Sequence, residues 1–147
     1  MKAFIIANLL ILLAIAQRQQ PIVPPFLVGE PAAVVDQFQQ LLVRAEQRTD
    51  KEVEQSIELW ISRQSDKIQK AFKKFKEQVQ NALRQAEREH QVAVSKLSPE
   101  ARKIDAKLSS IALDGSLTPM QKQRQIVDII KALPPNIKQE LKRAMEG

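Results

Sequence analysis

No Gly or Pro interrupts the stretch from Asp66 to Leu97, and that continuity limits what the chain can fold into more than any other feature. Apolar residues recur there at Ile68, Phe72, Phe75, Val79, Ala82 with Leu83, Ala86, Ala93, Val94 and Leu97. Steps of three and four place them on one face of a helix, with Lys, Glu, Gln and Arg on the rest. At 1.5 Å rise per residue the helix runs to roughly 45–50 Å. It cannot cover its own apolar stripe, so shorter helices before and after it must do so.

Those helices can be read from their caps and stripes. Pro31 suits the first position of a helix whose inner residues are Val34, Val35, Phe38, Leu41, Leu42 and Ala45. Thr49-Asp50-Lys51-Glu52 is a capping box, followed by Val53, Ile57, Trp60 and Ile61 facing inward. That helix breaks near Ser62 to Ser65. Ser98-Pro99-Glu100 supplies an N-cap, a proline at the first helical position and an acid in the first turn of the next helix. Asp114-Gly115-Ser116 is a turn, and Thr118-Pro119-Met120-Gln121 opens a fifth helix with Ile126, Val127, Ile130 and Leu133 inside. Pro134-Pro135 stops it and permits a sixth, with Ile137, Leu141 and Met145 inward. Strand alternation and internal repeats are absent. The expected fold is all-α, a single-domain bundle of five to six helices around one long central helix.

The N-terminus reads differently. Lys2 precedes an apolar run from Ala3 to Ala16, too short for a bilayer anchor, that closes on Ala14-Ile15-Ala16 before polar Gln17. This pattern is a secretory signal peptide over residues 1–16. Residues 17–30 form an extended, proline-rich segment, in which Phe26 and Leu27 are apolar enough to dock on the bundle. Residues 31–147 make the helical domain. A secreted, extracellular chain with no cysteine must hold together by packing alone.

Several functions are excluded at once. Without Cys there is no thiol chemistry and no Cys-based zinc site. His90 is the single histidine, so Glu87-x-x-His90 is half of a di-iron motif that cannot be completed. With no G-x-S-x-G, HExxH or P-loop, the chain reads as a non-enzyme that requires no cofactor. Its net charge of +6 would suit nucleic acid in a cytosolic protein, but export and the lack of a nucleic-acid motif point elsewhere. Host or surface macromolecules, such as anionic glycans or lipid head groups, are the partners such a surface fits.

Three candidate sites remain. Asp114 and Ser116 share the one loop that combines a carboxylate, a glycine and a hydroxyl, which reads either as an ordinary helix-connecting turn or as a site where an ion would be weakly held. Lys67, Lys70, Lys73, Lys74 and Lys76 crowd the start of the long helix and form a candidate basic surface. Trp60, Phe72 and Phe75 would line a pocket for a small hydrophobic ligand, with Phe26 and Leu27 as its cover, or else form a closed core.

The run Leu97-Ser98-Pro99-Glu100-Ala101-Arg102-Lys103-Ile104-Asp105-Ala106-Lys107-Leu108-Ser109-Ser110-Ile111-Ala112 resembles the nematode SXP/RAL-2 family, the proteins grouped by an Ani s 5-like cation-binding domain. Pro24-Pro25-Phe26-Leu27, the single Trp60, Asp114-Gly115-Ser116-Leu117 with Gln121, and Leu133-Pro134 through Glu140-Leu141 match in order and spacing. The resemblance implies a small secreted helical nematode protein, immunogenic in hosts, with divalent-cation binding as the property attached to the domain.

Overall fold

The structure is a computed structural model that describes residues 23–146. The signal-peptide reading and the first part of the proline-rich segment lie outside the described residues. Within them the chain is all-α, with six α-helices and no strand. In order these are α1 (Ala32–Leu42), α2 (Asp50–Ser62), α3 (Asp66–Ser95), α4 (Pro99–Ala112), α5 (Pro119–Ala132) and α6 (Pro135–Glu146). Short 3-10 turns at Pro25–Leu27 and Ala45–Gln47 precede α1 and α2.

The caps explain the boundaries. Thr49 accepts from the Glu52 amide while Glu52 reaches back to Thr49 N–H, and Thr118 and Gln121 repeat the arrangement at α5. Ser65 accepts from the Ile68 amide at 3.4 Å, which starts α3 and settles the break that the sequence left between Ser62 and Ser65. Pro31 stands one position earlier than expected, as the N-cap of α1. Gly29, at φ +83°, makes the turn that carries the chain from the first 3-10 segment into α1.

At 30 residues, α3 is about 45 Å long. The other helices cover its two ends and leave its middle open. At the N-terminal end, Phe26, Leu27, Phe38, Val53, Ile57, Ile61, Ile68, Phe72 and Val79 belong to one core. Phe26 is its plug, edge-on to Phe38 at 5.3 Å and to Phe72 at 5.0 Å. At the C-terminal end Leu97, Ala101, Ile137 and Leu141 form a second, smaller core. Between them Ala82 and Ala86 are exposed and Leu83 is half-buried.

A clasp and an ion pair hold this arrangement. Glu140 on α6 accepts from Ser98 Oγ at 2.9 Å and from the Ser98 amide, so a side chain from α6 finishes the N-terminus of α4. Lys122 on α5 is buried and reaches Asp50, in the first turn of α2. The inward stripe expected for α5 is thereby corrected. Ile126 and Leu133 are half-buried, Val127 and Ile130 are exposed, and a lysine takes the most buried position on the helix.

Candidate functional site

The open middle of α3 forms one wall of a groove. Leu83, Ala86 and His90 line it from α3, and Leu113 closes it from the C-terminal end of α4. The groove has a volume of about 550 Å³ and is mostly apolar, with Arg84, Glu87 and Arg88 at its rim. A second groove of about 670 Å³ continues along the same two helices past Val94, Asp105 and Ser109. Between the two, His90 Nε2 and Asp105 Oδ2 meet at 3.1 Å and pin α3 to α4. Leu113 is 53% exposed, so it adds apolar surface to the mouth of the groove.

The three aromatic residues expected around a pocket lie elsewhere. Phe72 is buried, Trp60 packs on Phe38 at 5.2 Å, and Phe75 packs on Phe26 at 5.3 Å. They fill the first core. Phe26 and Leu27 are wedged into it at 4% and 0% exposure, as core residues of the N-terminal end. The groove is farther along α3, where alanines stand in the stripe. Small residues in the amphipathic stripe, Ala82 and Ala86, were the sequence signal for it.

Two of the five lysines of the basic run form ion pairs. Lys67 pairs with Glu30 at 2.6 Å. Lys76 pairs with Glu58 and lies 5.5 Å from the Phe72 ring centroid. Lys70, Lys73 and Lys74 are exposed.

The Asp114 turn is complete in itself. Asp114 Oδ1 accepts from Ser116 Oγ at 2.6 Å and from the Ser116 amide at 2.9 Å. The hydroxyl first, and then the amide, hold the carboxyl below the usual aspartate value, so it is ionised at neutral pH. The carboxylate thereby orders the turn that leads into the Thr118–Gln121 capping box.

Two helical cores at the ends of one long helix, an apolar groove between them and a self-satisfied acidic turn define an all-α bundle protein. The chain belongs to the SXP/RAL-2 family: residues 1–145 match the SXP/RAL-2 family protein Ani s 5-like, metal-binding domain. It is 37% identical over 146 residues to the SXP/RAL-2 family protein Ani s 5 of Anisakis simplex, covering 99% of this chain and 96% of that protein. It is also 38% identical over 128 residues to the OV-17 antigen of Onchocerca volvulus, covering 87% of this chain and 78% of the antigen. No solved structure matches the chain.

The domain's description implies a metal, and the donor sets present do not fit a built site for one. Among the described residues no three His, Cys, Asp or Glu side chains come together to hold an ion. Calcium takes six to eight oxygens, and the Asp114 turn offers one carboxylate whose Oδ1 is already engaged.

Proposed function

We propose that this protein is an exported, non-enzymatic nematode binding protein that carries a small hydrophobic ligand in the groove between α3 and α4. The observation that carries this reading is the groove itself, where Leu83, Ala86 and Leu113 present apolar surface along the middle of α3, between its two cores. Export is supported by the Lys2-to-Ala16 pattern. A non-catalytic role is supported by the lack of cysteine, the single histidine and a relative named as an antigen.

Oleate is a suitable probe. Calorimetric titration should give saturable binding, and saturation at 100 times the dissociation constant should add about 2.7 kcal/mol to stability. Ala86→Trp, at an exposed position, should fill the groove and abolish binding while the protein stays folded. No heat and no rise in melting temperature with oleate, or full binding in Ala86→Trp, overturns this reading.

The domain's description supports a second reading, weak Ca²⁺ or Mg²⁺ binding at the ionised Asp114 carboxylate beside Ser116. One carboxylate places any affinity at or beyond the weakest range of about 10⁻⁴–10⁻³ M. Amide shifts at Asp114–Leu117 during a Ca²⁺ titration, lost in Asp114→Asn, would support it. Their absence at millimolar ion removes it.

A further inference from the structure

On α5 a lysine is buried while three large apolar residues are exposed. Lys122 is 5% exposed, whereas Met120 is 56%, Val127 37% and Ile130 40% exposed. At 100° per residue, Lys122, Ile126, Ile129 and Leu133 share the inner face. The outer arc runs from Ile130 through Gln123 and Val127 to Met120, and then to Lys131 and Arg124. Arg124 and Lys131 are exposed. Lys138 of α6 donates to the Lys131 carbonyl at 3.1 Å, which brings a third cation to the C-terminal end of this face. The one carboxylate of α5, Asp128, lies beyond Arg124 at the far edge of the arc.

We propose that the outer face of α5 docks on an anionic lipid surface, with Met120, Val127 and Ile130 entering the interface and Arg124, Lys131 and Lys138 meeting the head groups. An apolar strip bordered by cations matches a bilayer boundary, where acyl chains take the apolar side chains and charged head groups supply the counter-charge. A soluble polyanion would use the cations and leave the aliphatic strip in water. A second copy of the face would bring the same cations, with only Asp128 to meet them. The surface is separate from the α3–α4 groove and stands whether or not that groove binds a ligand.

The test is co-sedimentation of the protein with phosphatidylcholine vesicles made with and without phosphatidylserine. Binding is expected only with phosphatidylserine, and it should weaken toward 1 M salt, where the screening length falls to about 3 Å. Removing two cations in Arg124→Gln with Lys131→Gln should lower partitioning about 25-fold, five-fold for each charge. Met120→Asp should also abolish it, and because Met120 is more than half exposed its melting temperature should match the parent's. Lys73→Gln with Lys74→Gln on α3 should leave binding unchanged. The proposal is overturned by no binding at low salt or by undiminished binding in the α5 variants. An equal loss in the α3 variant also overturns it, since that would mean diffuse attraction to a basic protein.

Discussion

Lys122 Nζ lies 2.5 Å from Asp50 Oδ2, across 72 residues of sequence, with both side chains buried. The same ammonium donates to the Ala112 carbonyl at 2.9 Å. One lysine therefore joins three helices, and each partner suits it. Asp50 lies in the first turn of α2, where the helix dipole favours an anion, and Ala112 ends α4, where terminal carbonyls need donors. The pair docks α5 on the start of α2 without help from the outer aliphatic residues of α5.

Removing one partner should be expensive because the other loses its counter-charge in a buried position. Lys122→Met should cost about 3–5 kcal/mol in urea unfolding, as expected when a buried pair loses one charge. Adding Asp50→Asn removes the uncompensated negative charge and should recover part of the loss. A double-mutant cycle with no coupling between the two positions would contradict this account.

The Glu140 clasp makes a milder prediction. Glu140→Ala strips the Ser98 amide and hydroxyl of their partner. It should destabilise the protein by about 1–2 kcal/mol, in the range for hydrogen bonds to a charged group in a half-buried position. Glu140→Gln keeps one acceptor and should cost less. Hydrogen exchange should show faster opening of α6 in both variants, with α2 unaffected.

Acid should loosen the start of α2. Hydrogen bonds from the Thr49 amide and then its hydroxyl hold the Glu52 carboxyl below its ordinary value of 4.5. The folded value lies below the unfolded one, so the unfolded chain takes up the proton first. Glu52 therefore stabilises the fold above about pH 4.5, and the contribution is lost as pH falls through the lower folded value. Glu54 works in the opposite sense, since burial raises its carboxyl above 4.5. Glu52→Gln should keep the reciprocal cap, as Gln121 does at α5, and flatten the acid limb of the stability curve relative to the parent. An unchanged acid limb would show that the cap carries no proton linkage.

Much of the fold could be read directly from the chain because its determinants are local. The two capping boxes, the Ser98-Pro99 start and the uninterrupted α3 depend on contacts within a turn or two, and each formed where its residues stand. The docking of Phe26 and Leu27 was legible for a similar reason, since two large apolar residues between prolines have no other way to leave water. The candidate groove was only half legible. Its alanines were visible in the stripe, but the expectation that neighbouring helices cover the whole of α3 hid their meaning.

The sequence by itself determined the class: five to six amphipathic segments, most of their starts and stops, and a long apolar stripe on α3. Tertiary structure alone decided which parts of that stripe are covered, and it set the orientation of α5. Extending the Ile126–Ile129–Leu133 stripe back by one turn lands on Lys122, a residue that hydrophobic patterning assigns to water. Only the fold brings Asp50 and the end of α4 to that point, and a buried ammonium with an anion and a carbonyl to bond is stable where an unpartnered one is not. Local periodicity ranks residues by their own affinity for water, whereas burial of a charge depends on partners that may be 72 residues away.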